Sequence, residues 1–380
     1  MKGKTGVVNV LFLVFLWFGL VAPFTIGAEE KGVITLPQTG QTKSYGIDDD
    51  GKLHKGAAWP KPRFTDNNDE TMTDNLTGLM WSKDARNPGP SQCTPGQNKE
   101  WKGALSHVAC LNANKYLGYK DWRLPNVNEL DSLINDDQAN STIWLAAQGF
   151  RNVMVAFYWS STTDKRRPNM AWVTVMYSGN VFTREKQSPK YPVWPVRGGI
   201  NISSAAVTLP QTGQTTCYVS VLSTSQGIPS SSANVIPCQG TGQDGELQTG
   251  VVWPSPRFSV AEGCVTDYLT GLTWIKNPDE SRRTWDQALA FSNDLSRCGH
   301  TDWRLPNRNE LRSLVNYGQT EPAKWLNEQG FSRVLADDYW TSTAYEDRPD
   351  NSWVVNLNYG HVVAGRKDKK YYVLPVRGGQ

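Results

Sequence analysis

The chain has 380 residues and a formal net charge of +3, with 16 tryptophans and six cysteines. A charge balance this close to neutral excludes a global positive field for nucleic acid, so any electrostatic function has to come from local patches. The length suits two ordinary domains, and buried indole rings are expected to supply much of their cores.

The first 28 residues have the pattern of a secretory signal peptide. Lys2 and Lys4 precede an apolar run over residues 7–21, and residues 26–28 (Ile-Gly-Ala) offer a small-residue cleavage site. The run is too short for a stable membrane span, and no second apolar run follows it. The sequence therefore predicts an exported protein without a transmembrane segment, located in the periplasm, on the cell surface or in the medium.

The rest of the chain is a tandem repeat of whole domains. The sequence LPQTGQT occurs at residues 36–42 and 209–215, and DWRLPN occurs at residues 121–126 and 302–307. This period is far longer than the roughly 20–50 residues of solenoid repeats. We expect a first domain, a linker and a second domain at residues 33–199, 200–206 and 207–380.

Each repeat opens with a segment rich in proline, glycine and threonine. A Leu-Thr-Gly-Leu sequence before a tryptophan then indicates a tight turn that enters a strand. A first helix follows, and in the second repeat Thr284 and Gln287 have the spacing of a capping box at its start. A second, short helix is predicted to begin after Asn126 and Asn307, each of which is followed three residues later by glutamate.

The later part of each repeat has the composition of strands. Tyr-Trp-Ser/Thr-Ser-Thr begins at Tyr158 and Tyr339, and β-rich stretches lead into Gly179 and Gly360 as hairpin turns. Helices early and strands late predict an α+β class, in which each domain has two helices and a mainly antiparallel sheet.

Six cysteines in an exported chain suggest disulfides. Cys264 and Cys298 align with Thr71 and Leu117 of the first repeat, so both are absent there. Cysteines that are present or absent together are most simply bonded pairs. We therefore expect Cys93–Cys110, Cys264–Cys298 and, from the remaining two, Cys217–Cys238. The alternative, redox-active or metal-binding thiols, is not supported by any CxxC spacing.

The repeated motifs resemble the family named after the C-terminal domain of the collagen-like adhesin of Legionella. The resemblance rests on DWRLPN followed by Glu-Leu, the Leu-Thr-Gly-Leu-x-Trp turn, the Tyr-Trp-Ser/Thr-Ser-Thr strand and the terminal Val-Arg-Gly-Gly, over residues 33–199 and 206–380. It implies a C-type-lectin-like fold, in which N- and C-terminal strands pair and a long-loop region carries the ligand site. It also implies surface adhesion and binding of sulphated glycans. The collagen-like stalk of the namesake is absent here, so trimerisation through a stalk is not implied.

The repeated arginines Arg123 and Arg304 could bind anions, but we expect a structural role. Each guanidinium should pair with a carboxylate such as Asp121 or Asp302, because bidentate arginine–carboxylate pairs lock turns in place.

The repeated tryptophans Trp122 and Trp303 could stack on sugars, although a tryptophan present in both copies is more often part of a core. Trp194 differs, because the second repeat has Leu374 there. It is expected to be either a core variant or a ring on the surface of one copy only.

The best ligand candidates are ten cations in three loop stretches. One stretch follows the Tyr-Trp-Ser-Ser strand of the first repeat, and the others lie between the last two strands of each repeat. They are Lys165, Arg166 and Arg167; Arg184, Lys186 and Lys190; and Arg366, Lys367, Lys369 and Lys370. Clustered cations attract sulphate or phosphate through short-range fields. The alternative is a set of solvated loops that keep strand edges unpaired.

Calcium binding requires oxygen ligands at short spacing. The Glu-Pro-Asn, Gln-Pro-Asp and Trp-Asn-Asp motifs of calcium-dependent lectins with this fold do not occur. Lys165 also stands where the second repeat has Glu346, so we expect no calcium site common to both repeats. A structural ion in one repeat alone stays open.

An enzymatic alternative comes from another branch of this fold, the formylglycine-generating and sulfoxide-forming oxidases. Their Arg-Leu-Pro-x-Glu stretch is similar to residues 123–127, but they use a copper-binding cysteine pair or an iron-binding histidine cluster. Paired cysteines and four histidines without ligand spacing favour neither a metal nor a cofactor here.

Three functional hypotheses follow. The first is a non-catalytic adhesion module that binds a sulphated glycan or another polyanion. The second is a structural or interaction module whose partner is a surface or envelope protein. The third, which the sequence favours least, is an oxidase-like enzyme.

Overall fold

The computed structural model describes residues 1, 3, 32–187, 190–198, 205–219 and 235–379. Apart from residues 1 and 3, the expected signal peptide lies outside the described residues, as do residues 200–204 of the expected linker. None of the described helices combines the length and hydrophobicity needed for a membrane span.

The first repeat combines helices with short antiparallel strands. A one-turn helix and three strands come first, three helices follow, and a three-stranded meander and a last short strand end the repeat. The elements are α1 (Asp50–Leu53), β1 (Phe64–Asp66), β2 (Thr71–Asp74), β3 (Leu79–Ser82), α2 (Trp101–Ala113), α3 (Val127–Asp131), α4 (Ser141–Ala147), β4 (Phe157–Thr163), β5 (Met170–Val175), β6 (Val181–Glu185) and β7 (Val196–Gly198).

The second repeat has the same order, with two additional short strands before its one-turn helix. The elements are β8 (Cys217–Tyr218), β9 (Val235–Ile236), α5 (Asp244–Leu247), β10 (Phe258–Ala261), β11 (Cys264–Asp267), β12 (Thr273–Ile275), α6 (Trp285–Asn293), α7 (Arg308–Ser313), α8 (Pro322–Glu328), β13 (Asp338–Ala344), β14 (Asn351–Asn356), β15 (Val362–Arg366) and β16 (Val376–Arg377). The α+β class expected from the sequence is therefore confirmed.

The strands form a small sheet in each repeat and one sheet that both repeats share. The small sheets have the orders β1-β2-β3-β7 and β10-β11-β12-β16, so the last strand of each repeat returns beside its third. The shared sheet has the order β13-β14-β15-β6-β5-β4, and Val181 of β6 pairs with Val362 of β15 in antiparallel orientation. The two meanders are thus continuous across the boundary between the repeats.

The helix starts predicted from capping-box spacing are confirmed. Asn126 caps α3 and Asn307 caps α7, each in a reciprocal box with the glutamate three residues later. The expected two helices per repeat, however, were too few, because each repeat also has a one-turn helix (α1, α5) and a further helix (α4, α8). Thr142 and Ile143 are β-branched residues with modest helix propensity, so the seven-residue α4 gives only a weak helical signal.

The opening segment of each repeat packs on the other repeat. We call residues 32–55 arm one and residues 205–219 and 235–249 arm two. The Ile34 N–H donates to the carbonyl of Leu269 at 2.9 Å, and the Val207 N–H donates to the carbonyl of Leu76 at 2.8 Å. Because the same contact occurs in both directions, the two repeats exchange their arms reciprocally.

Glutamines anchor the exchanged arms to the shared sheet. The side chain of Gln41 donates to the Ala344 carbonyl and accepts from the Ala344 N–H, both at 2.9 Å. Gln214 makes the same pair of bonds with Thr163, at 2.7 and 2.9 Å. Each amide side chain therefore satisfies both backbone groups of one residue at a strand end, as a neighbouring strand would.

Buried aspartates make a second anchor. Asp50 in arm one accepts hydrogen bonds from the hydroxyls of Thr39 and Thr343, at 2.6 and 2.7 Å. Asp244 in arm two accepts from Thr212 and Thr162, both at 2.7 Å. In each case one threonine belongs to the arm and the other to the opposite repeat.

The interface between the repeats also contains a buried ion pair and apolar contacts. Arg308 donates to the carboxylate of Asp131 at 2.6 and 3.1 Å, and the side chains are only 1% and 3% exposed. Trp172 packs edge-on against Tyr317 with 4.9 Å between ring centroids. Trp172 and Val181 belong to a core cluster made mostly of second-repeat residues, so the two repeats share part of one core.

Candidate functional site

The repeated arginines are structural, but their partners differ from the ones expected. Arg123 forms a bidentate pair with Glu129, at 2.5 and 2.7 Å, instead of pairing with Asp121. Glu129 is already fixed near this guanidinium by its capping-box bond to the Asn126 N–H at 2.8 Å. The carboxylate of Asp121 is more than half exposed and binds Arg197 of β7.

The second repeat repeats this arrangement. Arg304 forms a bidentate pair with Glu310, both bonds being 2.6 Å, while Asp302 pairs with Arg377. The adjacent tryptophans, Trp122 and Trp303, are each 2% exposed. The DWRLPN motif therefore builds the entry to α3 and α7, with its arginine and tryptophan packed inside the fold.

Two of the ten candidate cations are packed on tryptophan rings. The Nζ atom of Lys186 lies 3.8 Å from the centroid of Trp101, and Nζ of Lys367 lies 3.7 Å from the centroid of Trp285. Burial lowers the pKa of Lys186 well below its ordinary value and lowers the pKa of Lys367 as well. Since Lys186 is 1% exposed, it does not belong to a ligand surface.

The cations that follow β4 hold the two repeats together. Lys165 donates to the Gly318 carbonyl at 2.5 Å, and the guanidinium of Arg166 lies 3.9 Å from the centroid of Tyr359. Arg167 pairs with Asp164 at 2.9 Å. All three side chains therefore have partners within the protein, and two of the partners belong to the second repeat.

Four candidate cations are exposed: Lys190, Arg366, Lys369 and Lys370. Arg366 has an ion pair with Asp368, whose side chain is itself more than half exposed. Among the described residues, no ion pair involves the other three. The last loop of the second repeat thus presents three cations to solvent within five residues.

The two loops face opposite ends of the shared sheet. Strands β6 and β15 are paired at their first residues, Val181 and Val362, and run in opposite directions from there. The loop after β6 and the loop after β15 therefore lie at the two far ends of this strand pair. The cations of the two repeats form two separate patches.

The tenth candidate, Arg184, lies on an aromatic platform that the sequence analysis missed. Its guanidinium is 4.4 Å from the centroid of Phe182 and 4.9 Å from that of Phe157. Phe157 packs edge-on against Tyr191 with centroids 5.0 Å apart. We call Phe157, Phe182, Arg184 and Tyr191 the platform.

The second repeat keeps the tyrosine of this platform, as Tyr371, but lacks its other three residues. Strand register places Asp338 where the first repeat has Phe157, Val363 where it has Phe182, and Gly365 where it has Arg184. The fold therefore does not require aromatic or cationic side chains there. A comparison of the two repeats at partly exposed strand positions would have found this signal in the sequence.

All six cysteines are paired, as Cys93–Cys110, Cys217–Cys238 and Cys264–Cys298. These are the pairs that the comparison of the two repeats predicts. Within the described ranges, no group of three or more histidine, cysteine, aspartate or glutamate side chains lies close enough to hold a metal ion.

Trp194 belongs to the core. It is fully buried, contacts the rings of Trp81 and Phe150, and donates from Nε1 to the Ser82 carbonyl at 2.9 Å. Of the two expectations for this residue, the core variant is correct.

Comparison with known protein families gives a match in both repeats. The model of the Lcl C-terminal domain family matches residues 70–197 and 263–377. No curated protein matches the chain. The two matched segments run from β2 into β7 and from β11 through β16, and each begins after the arm and the first small-sheet strand of its repeat.

Proposed function

Because the chain belongs to the Lcl C-terminal domain family, with one copy in each repeat, we propose that it is an exported, non-catalytic adhesion module that binds polyanionic glycans. Family membership indicates an adhesin-like domain, and three disulfides are consistent with an exported protein. The polyanion is our inference from the exposed cations.

The main support for this proposal is the cluster of exposed cations in the loop after β15. Arg366, Lys369 and Lys370 are exposed, and among the residues that the structure describes only Arg366 has an ion-pair partner, which is exposed as well. Exposed ion pairs contribute little to stability, about 0–1 kcal/mol, so Arg366 can exchange Asp368 for a sulphate or carboxylate. Three cations on one short loop offer charge-assisted hydrogen bonds to such groups.

We further propose that each repeat has a C-type-lectin-like fold. The pairing of β3 with β7, and of β12 with β16, supports this, because strands near the start and the end of each repeat lie side by side. The segments between them carry the helices, the meander and the cationic loop. A ligand surface on such loops fits the general tendency of binding residues to lie on segments held by a rigid scaffold.

The test is retention of the mature protein on a heparin column in a salt gradient. We expect the triple variant R366A/K369A/K370A to elute at clearly lower salt than the wild type. Lys367 is left unchanged because it packs on Trp285. The matched control is K52A/K120A/K324A, which removes three exposed lysines outside these loops and should elute close to the wild type.

Equal elution of the two triple variants would contradict recognition by this loop, because the loss would then follow net charge alone. Flow-through of the wild type at low salt would contradict polyanion binding altogether. That result would favour the second hypothesis, a surface or envelope protein as partner.

A further inference from the structure

The platform of the first repeat has the composition of a binding site for a charged ring. Arg184 is held against Phe157 and Phe182 by cation–π contacts at 4.9 and 4.4 Å. Within the part of the chain that the structure describes, it has no carboxylate partner. A guanidinium fixed in this way loses little conformational freedom when it binds an anion, and its planar fork matches the two oxygens of a carboxylate.

Two lysines lie beside the same rings. Lys99 exchanges backbone hydrogen bonds with Tyr191, at 2.9 Å in both directions, and Lys190 is the next residue in the chain. Lys190 is exposed. The platform therefore combines two partly exposed phenylalanine rings with Arg184 and the exposed Lys190, while the ammonium group of Lys99 is bound to the Thr94 carbonyl.

The second repeat has different residues on the same surface. Asp338 replaces Phe157 and makes a hydrogen bond with Asn356 at 2.6 Å. Gly365 replaces Arg184, and Tyr371 packs over it so closely that an added Cβ would lie 2.8 Å from the ring. The second repeat thus keeps the fold with a carboxylate and a glycine here, so the aromatic and cationic residues of the first repeat need another explanation.

From these contacts we infer that the platform binds a sugar ring that carries a carboxylate, a uronate residue of an acidic glycan. The partly exposed Phe157 and Phe182 rings offer an apolar surface to the C–H face of the sugar ring, and the buried Tyr191 supports Phe157 from below. Arg184 binds the carboxylate, and Lys190 adds a second charge. This inference rests on the proposed function and adds that the two repeats recognise different anionic groups on opposite ends of the shared sheet.

The experiment measures binding of the full mature chain to polygalacturonate, in which every ring has a carboxylate and none has a sulphate. Two control probes separate the contributions of ring and charge. Neutral dextran has sugar rings but no charge, and polyphosphate has charge but no rings. The variants R184G and F182V each introduce the residue that the second repeat has at that position. Thermal unfolding verifies that both variants fold.

We expect R184G and F182V to weaken polygalacturonate binding about tenfold or more, as loss of a charge-assisted hydrogen bond or an aromatic contact does. Retention on dextran sulphate, which carries sulphates and no carboxylates, should stay near that of the wild type. Unchanged polygalacturonate affinity in both variants would overturn the inference and leave the proposed function untouched. Equal losses on polyphosphate and polygalacturonate would overturn it too, because charge alone would then explain the binding.

If R184G unfolds, R184K decides the question. It keeps the charge and the stem but loses the planar fork, so we expect it to bind polygalacturonate several-fold more weakly than the wild type. Full affinity in R184K would contradict recognition of the carboxylate by the guanidinium.

Discussion

Arg308 of the second repeat and Asp131 of the first form a bidentate ion pair in the interior of the protein, at 2.6 and 3.1 Å. Arg308 also donates to the Gly179 carbonyl at 2.7 Å, and Arg312 lies 3.1 Å from the same aspartate. Asp131 of the first repeat therefore pairs with two arginines of the second, and Asp136 lies 3.9 Å from Arg308. The equivalent position in the first repeat, Val127, is apolar, so this pair is not repeated by the internal symmetry.

Removal of the Asp131 carboxylate should strongly lower the free energy of unfolding. In D131N, Arg308 and Arg312 stay buried without their closest negative charge, so we expect the free energy of unfolding to fall by about 3–5 kcal/mol. Urea denaturation measures it. D302N is the matched control, since the Asp302 side chain is 55% exposed and its pair should contribute less than about 1 kcal/mol. Similar losses in the two variants would contradict a buried charge network between the repeats.

The arm anchors should make stability depend on pH. Burial raises the pKa of Asp50 from 3.8 to about 6, while the hydroxyls of Thr39 and Thr343 oppose this shift, and Asp244 behaves in the same way. Glu310 adds to the increase at Asp50 and Arg304 opposes it. Because the folded chain binds this proton more tightly than the unfolded chain, the contribution to stability is full below pH 3.8 and is lost as the pH rises through about 6.

The measurement compares the wild type with D50N, in which no proton binds at this position. The free energy of unfolding of the wild type relative to D50N should fall by on the order of 2–3 kcal/mol between pH 4 and pH 7. D244N should reproduce the effect in the other arm. A difference that stays constant over this range would show that Asp50 does not take up a proton on folding.

The burial of Lys186 gives a further prediction. In K186M the apolar chain fills the volume over Trp101 without the cost of burying an ammonium group, so stability at pH 7 should be equal or higher. Heparin elution should not change, because Lys186 is 1% exposed. The control K190M removes an exposed lysine from the same loop and should elute earlier with unchanged stability. A loss of more than about 2 kcal/mol in K186M would contradict this role.

Local sequence spacing predicted the local structure well. Asn126 with Glu129, and Asn307 with Glu310, form the capping boxes that their spacing indicates, because such boxes depend only on residues three apart. The disulfides could be paired because the cysteines of each pair are absent together from the other repeat. Both inferences use information that lies within a few residues or is visible by comparing the two copies.

The exchange of the arms could not be predicted in this way. The anchoring residues of one arm have counterparts in the other: Thr39, Gln41 and Asp50 correspond to Thr212, Gln214 and Asp244. Either arm could therefore make the same hydrogen bonds with either repeat. Which repeat an arm packs on depends on which repeat it can reach, and this is decided only when the whole chain folds. The partner of Arg123 was missed for a related reason, since Glu129 comes near only after the capping box has formed.

The central claim is that the two repeats form one body through exchanged arms and a shared sheet. Its most direct test is a site-specific protease sequence inserted between residues 201 and 202 of the full chain, followed by cleavage and size-exclusion chromatography. None of the three disulfides crosses this point. We predict that the two fragments co-elute at the volume of the uncut protein and separate only in denaturant. Two peaks of half size under native conditions would contradict the account.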